Sequence, residues 1–392
     1  MDKNTEVIKL KFKNEGTFDL ENEENLKLLK KAAEVLKNGG LCAIPTETVY
    51  GLGGDALNKE ASKKIYEAKG RPSDNPLIVH ISDLQELNSL VSSIPECAYK
   101  LMDNFWPGPL TIIFPKSDIV PYETTGGLDT VAIRFPSNPI AQRIISLSGV
   151  PVAAPSANTS GKPSPTKAKH VFEDLNGKID VIVDGGECNI GVESTVLDLT
   201  SDTPYILRPG GITLEQLREY LPNVKVDKAI LSKNEITKPK APGMKYKHYA
   251  PKADVVIIEC KKEVQESFKE FAEKVAENIS NFALNELQNN KKIGIIATTQ
   301  TAKYYMKKFR LSFDNKSTDI IRFVDNNKNV VMMIIGDRTK PETIATNLFS
   351  VLRAFDHENI DKILAEGIDK KQIGMAVRNR LDKAAGYNII KL

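Results

Sequence analysis

The chain has 392 residues, 41% hydrophobic and 27% charged, and its 54 basic against 51 acidic side chains leave a net charge of +3. At ~150 residues per domain, that length predicts two domains, and the composition excludes fibrous, disordered and disulfide-scaffold proteins. The near-neutral balance excludes a chain that grips nucleic acid by overall charge alone.

In chain order, the first predicted helix spans 23–38, with Leu26, Leu29, Ala33 and Leu36 at helical spacing and Asn38-Gly39-Gly40 as a stop. A short apolar strand, 41–44, follows and is closed by Pro45. A helix over 59–69 starts behind Asn58 and ends at Gly70. Strand-like runs then occur at 77–81, 110–114, 131–135, 150–154, 181–183, 195–199 and 205–207. Helical stretches at 84–91, 96–105, 139–147, 166–175 and 213–221 separate several of them. Strands interleaved with helices predict an α/β domain over 20–220.

Residues 221–253 break this pattern. Pro222, Pro239, Pro242, Gly243 and Pro251 interrupt regular structure, and 228–252 holds seven lysines against one acid, Glu235. The segment reads as a basic interdomain linker. A second, smaller domain over 254–392 is predicted from strands at 255–258, 293–297, 319–324, 330–335 and 361–365. They alternate with helices at 261–286, 301–309, 341–355 and 372–385. That order suits a Rossmann-like parallel sheet. No G-x-G-x-x-G follows its first strand, so nucleotide binding is not indicated there.

The longest strongly apolar run, 330–335, is far short of the ~20 residues that span a bilayer. Met1-Asp2-Lys3-Asn4-Thr5-Glu6 shows no secretory signal, and Cys42, Cys97, Cys188 and Cys260 lack metal-ligand spacing, so a reducing cytoplasm is expected.

Three polar segments of the first domain exceed the needs of routine connections. Pro45-Thr46-Glu47-Thr48-Val49-Tyr50-Gly51-Leu52-Gly53-Gly54 follows a strand, where its hydroxyls would gather at the C-terminal edge that α/β sheets use for ligands. A turn whose glycines serve geometry alone is the plainer alternative. Lys69-Gly70-Arg71-Pro72-Ser73-Asp74-Asn75-Pro76-Leu77 places two cations at a helix end, able to face one polyphosphate or merely to complement the helix dipole. Residues 153–166 (AAPSANTSGKPSPT) offer hydroxyls, an amide and backbone N–H groups to an anion without a Walker-type sequence. Arg134 interrupts an apolar strand, Gly191-Val192-Glu193-Ser194-Thr195 precedes another, and Arg208 ends a third. Buried, such arginines need an anion. Metal-hydrolase spacing, a Gly-x-Ser-x-Gly elbow and a convincing carboxylate pair for acid/base work are absent.

In this order, PTETVYGLG, KGRP with Asn75-Pro76-Leu77, VAIRFP and SANTSGKPSPT closely resemble the YrdC/Sua5 family. Pro242-Gly243-Met244-Lys245-Tyr246-Lys247-His248-Tyr249-Ala250-Pro251 resembles the linker of its two-domain Sua5 branch, and Gly374-Met375-Ala376-Val377-Arg378-Asn379-Arg380-Leu381 the end of that branch's second domain. The resemblance implies a twisted α/β sheet around a large concave cavity, a Rossmann-like second domain, and threonylcarbamoyl-AMP synthase activity. L-Threonine, bicarbonate and ATP would give L-threonylcarbamoyladenylate and pyrophosphate. The product would pass to the tRNA threonylcarbamoyl transferase for t6A at position 37 of tRNA. Carried over by position, Thr48, His80, Arg134 and Ser194 would hold threonine. ATP would contact Arg71, Asn75, Thr130, Ala154 through its backbone, Ser156, Ser164, Arg208 and Tyr246, with Lys69 beside the phosphates. Lys69 and Arg71 would act in catalysis.

A carbamate already carries its nucleophilic charge, so its attack on the α-phosphorus needs positioning and cations rather than a strong base. Mg2+ is the expected cofactor, held mostly by phosphate and water. The lysine-rich linker is either a solvated tether or a lid over ATP, formed by Lys245, Tyr246, Lys247 and His248. The rival functional class is a protein that binds structured or double-stranded RNA. The charge of +3, the single Trp and the lack of aromatic–basic interleaving weigh against it, and no stable tRNA or membrane binding is expected. A carbamoyl-transfer module like those of hydrogenase maturation proteins is a third reading, disfavoured because acylphosphatase and zinc-finger segments are missing.

Overall fold

The computed structural model describes residues 4–14, 17–20, 22–231, 248–314 and 320–392. Backbone contacts divide it into two units: Met1–Ser160 with Ser164–Tyr246, and Gly161–Pro163 with Lys247–Leu392. Both are α/β.

The first unit is built on one mixed sheet of eleven strands. From edge to edge these are Glu6–Lys9, Val181–Asp184, Cys42–Ile44, Gly51–Asp55, Val152–Ala153, Ile78–His80, Thr130–Arg134, Leu110–Pro115, Thr195–Asp198, Tyr205–Arg208 and Lys225–Val226. Local sequence sets the flanking helices. Asn58 Oδ1 accepts from the backbone of Glu60 and Ala61 to start helix Lys59–Lys69. Gly70 ends it at φ 58°, a left-handed turn that a side chain would strain.

Two edge strands, Glu6–Lys9 and Lys225–Val226, extend the sheet beyond the predicted span of 20–220. Gly51–Asp55 is a strand rather than the polar turn weighed for the glycine-rich motif. Its glycines serve close approach: a Cβ on Gly53 would lie 2.9 Å from Val152 Cγ1 and 3.0 Å from the Cys42 carbonyl.

Alternation along the strands gives the sheet two distinct faces. Val79, Ile112, Phe114, Val131, Ile133 and Leu197 point into the larger core with the helices. Ile78, Ile113, Ala132 and Val196 form a small apolar cluster of their own. Pairing then continues that second set as a polar row. His80 pairs with Arg134, Arg134 with Thr111, Thr111 with Val196, and Val196 with Arg208. Residues opposite one another share a face, so His80, Arg134 and Thr111 line one side of the sheet; the register shifts between Val196 and Leu197, and Arg208 joins the row through Ser194 Oγ, which it reaches at 3.0 Å and which lies 2.7 Å from Thr111 Oγ1.

In the second unit seven strands form one sheet, in the order Ser312–Phe313, Arg322–Val324, Val330–Gly336, Ile293–Thr298, Lys362–Glu366, Asp254–Glu259 and Ile389–Lys391. The last five run parallel and the first two are antiparallel. Its longest helix, Phe268–Gln288, starts later than the predicted residue 261. Ser267 and Glu270 form a reciprocal capping box there, which halts the helix. Among the described residues no helix is long and apolar enough to cross a membrane.

Candidate functional site

Arg134 is 4% exposed, and its Nη2 donates to Glu47 Oε1 at 2.7 Å while Nε donates to the Gly108 carbonyl at 3.3 Å. Glu47 sits in the turn after strand Cys42–Ile44. That turn is tied by Thr46 Oγ1, which accepts from the backbone of Thr48 and Val49 and shares a 2.9 Å hydrogen bond with Thr48 Oγ1. The sequence expectation named Thr48 here and passed over Glu47.

His80, on the next strand, is 2% exposed. Burial, reinforced by the Arg134 and Arg208 cations, lowers its pKa to about 3, so the imidazole is neutral near pH 7. Across the row, Ser194 Oγ lies 2.7 Å from Thr111 Oγ1 and accepts from Arg208 Nη2 at 3.0 Å. Arg208 also reaches the Ser194 carbonyl through Nε at 3.1 Å and Nη2 at 3.0 Å. Ser164 is 1% exposed and donates through Oγ to Glu193 Oε1 at 2.7 Å. No carboxylate pair was expected from the sequence; the fold nevertheless buries both Glu47 and Glu193.

The end of helix Lys59–Lys69 supplies two more cations. Because Gly70 turns the chain, Lys69 and Arg71 are both buried. Lys69 Nζ donates to the carbonyl of Ser156 and, at 2.6 Å, to that of Asn158, while its own carbonyl accepts from Ser160 N at 2.8 Å. The ammonium thus braces the loop carrying Ser156. Arg71 Nη2 donates to the Pro76 carbonyl at 3.1 Å, and Nε and Nη2 to that of Asn75 at 3.3 Å. Asn75 Oδ1 is buried and meets no hydrogen-bond partner among the described residues.

Ala154 is buried, its N–H on the Ile78 carbonyl at 2.8 Å. Ser156 is half-buried and bridges Gly51, and Thr130 is half-buried at the start of its strand. Tyr246, with Lys245 and Lys247, lies outside the described residues, while His248 is described and 9% exposed. The register therefore aligns His80, Arg134 and Arg208 and brings Ser194 onto Arg208, while helix Lys59–Lys69 contributes Lys69 and Arg71. Among the described residues no three His, Cys, Asp or Glu side chains cluster as ligands for a metal ion.

Residues 34–210 match the Sua5_yciO_yrdC family model, described as telomere recombination, and residues 212–386 match the threonylcarbamoyl-AMP synthase C-terminal domain. The chain is 46% identical over 364 residues to the threonylcarbamoyl-AMP synthase of Pyrococcus abyssi, covering 93% of this chain and 96% of that protein. Identity to the Bacillus subtilis threonylcarbamoyl-AMP synthase is also 46%, over 365 residues, or 93% of this chain and 94% of that one. The crystal structure of P. abyssi Sua5 complexed with L-threonine superimposes with a TM-score of 0.83 at 43% identity, covering 99% of this chain and all of that one. Fold and site define a two-domain α/β protein whose first sheet carries a buried row of cations and hydroxyls. The chain belongs to the Sua5/YrdC family.

Proposed function

We propose that this chain joins L-threonine, bicarbonate and ATP into L-threonylcarbamoyladenylate and releases pyrophosphate. The observation that carries this function is identity of 46% along 93% of the chain to proteins bearing that activity's name. The threonine held by the P. abyssi structure supports the amino acid as substrate. In this assignment Thr48, His80, Arg134 and Ser194 hold threonine, with Arg134 taking its carboxylate. Arg71, Asn75, Thr130, Ser156, Ser164 and Arg208, with the Ala154 backbone and Tyr246, hold ATP.

Lys69 and Arg71 act on the reacting phosphates in different ways. Lys69, beside the phosphates, also holds the Ser156 loop through two carbonyls, and Arg71 holds the Asn75–Pro76 turn through two others while its guanidinium brings a second positive charge. The threonine amine and bicarbonate condense to a carbamate with loss of water, and a carbamate oxygen then attacks the α-phosphorus as its bond to pyrophosphate breaks. Arg71 and Arg208 spread positive charge over the phosphates as the bond breaks. His80, neutral near pH 7, contributes a hydrogen bond rather than a charge.

ATP enters as its Mg2+ complex. Phosphate oxygens and water hold most of that ion's coordination sites. We place the enzyme in the cytoplasm, in keeping with its free cysteines, and assign its product to a downstream tRNA threonylcarbamoyl transferase.

Pyrophosphate release measured with each component omitted in turn tests this function. Release should require threonine, bicarbonate and ATP together and should not require RNA. Tight, saturable binding of structured RNA without any pyrophosphate would instead make the chain an RNA-binding protein.

A further inference from the structure

The Glu47 carboxylate is only half engaged. Oε1 accepts from Arg134 Nη2 at 2.7 Å, but Oε2 is buried and finds no hydrogen-bond partner among the described residues. The side chain has little freedom to seek one. Its own carbonyl accepts from Ile190 N at 2.9 Å, and the Thr46 hydroxyl ties the turn on either side. A buried carboxylate oxygen without a donor is costly, more so than a neutral group in the same position. Side by side, Arg134 and Glu47 present one guanidinium and one carboxylate oxygen that lacks a hydrogen-bond partner among the described residues. That pair complements a zwitterion whose carboxylate and amine hang from the same carbon.

We propose that Glu47 Oε2 receives the amine of the amino-acid substrate, and so selects an α-amino acid over the corresponding α-hydroxy acid. This role rests on the assignment above of the substrate carboxylate to Arg134. The other buried carboxylate of the site, Glu193, takes the Ser164 hydroxyl on Oε1 at 2.7 Å. His80 is neutral near pH 7, and burial pushes the Cys188 thiol up, so neither supplies a negative charge there. An ammonium donates to the open oxygen and matches its charge; a hydroxyl matches only the hydrogen bond.

The experiment compares binding of L-threonine with that of 2,3-dihydroxybutanoate, its α-hydroxy counterpart, to the wild-type chain and to Glu47→Gln. Calorimetry reads both affinities directly. Glutamine keeps an acceptor for Arg134 but puts an NH2 donor where the amine should land. The wild type should prefer threonine. In the variant, threonine should weaken by about tenfold to a hundredfold, the worth of a hydrogen bond to a charged group. The hydroxy acid should bind the variant almost as it binds the wild type, and ATP affinity should be unchanged.

Equal weakening of both ligands would show that Glu47 merely orients Arg134, and would overturn the proposal. Should the variant fail to fold, equal affinity of the wild type for the two ligands would overturn it as well. A wild type that binds threonine but releases no pyrophosphate would strike at the proposed reaction instead. The amine assignment would still be read from binding alone, so the two failures are distinguishable.

Discussion

Two buried carboxylates, one in each unit, have opposite surroundings. In the second unit Glu366 is 1% exposed and accepts five hydrogen bonds. They come from Thr298 N at 3.2 Å, Thr298 Oγ1 at 2.9 Å, Thr301 Oγ1, Tyr305 OH at 3.3 Å and Arg338 Nη2 at 2.8 Å. In the first unit Glu47 has Arg134 on one oxygen and no partner among the described residues on the other. Both are paired with a buried arginine, so burial and ion pairing do not tell them apart. Saturation does. A network with every lone pair occupied is a fastening, whereas a buried oxygen without a donor can accept one more hydrogen bond. The same closure recurs in the second unit at Arg378, which holds both oxygens of Glu259 at 3.0 Å and also Asp382.

The largest expected effect comes from opening the closed network. Glu366→Ala leaves the Arg338 charge uncompensated and should cost about 3–5 kcal/mol in a denaturant melt. Pyrophosphate release per folded molecule should not change. A loss of turnover beyond the loss of folded protein would join the second unit to the chemistry and end the contrast drawn above. Next is Lys69→Met, which removes charged donors from the Ser156 and Asn158 carbonyls. We expect about 2–3 kcal/mol of destabilisation. In steady-state kinetics the KM for ATP should rise more than that for threonine, because it is the Ser156 loop that loosens.

His80 gives a smaller effect with a defined sign. Its folded pKa, about 3, lies below that of an unfolded histidine, ~6.5, so between these values the unfolded chain binds the extra proton. Stability from this residue is complete above about pH 6.5 and falls on acidification, by at most about 1.4 kcal/mol per pH unit. A His80→Asn variant should flatten the slope of melting free energy over that window, and an unchanged slope would refute the neutral imidazole. The smallest effect should come from Ser267→Ala, which removes the cap of helix Phe268–Gln288. It should cost about 1 kcal/mol and leave catalysis untouched.

What the sequence made legible follows the range of the interactions. Helix Lys59–Lys69 was visible in full because Asn58 and Gly70 act on neighbouring backbone. Its basic end marked Lys69 and Arg71 as candidates, but the carbonyls that Lys69 grips lie 87 and 89 residues away and left no local trace. Arg134 and Arg208 could be singled out one by one as arginines in apolar strands. Only strand pairing reveals that they share a row with His80. Glu47 was missed because an acid in a polar turn looks like any solvated side chain until Arg134 meets it. Strand Gly51–Asp55 was obscured for a related reason: glycine is poor in strands, and the contacts that require it come from distant Val152 and Ala154.

The row that unites His80 with Arg208 also works as a ruler. It crosses four strand-to-strand intervals, and at about 4.8 Å each the ends stand roughly 19 Å apart along the sheet. The span is quantised, so single side chains can be exchanged without changing the spacing of the others. Insertion is another matter. One residue added within Thr130–Arg134, with pairing kept upstream, would swing Arg134 to the helix-packed face of the sheet. The strands that measure out the site should therefore accept substitutions far more readily than changes in length.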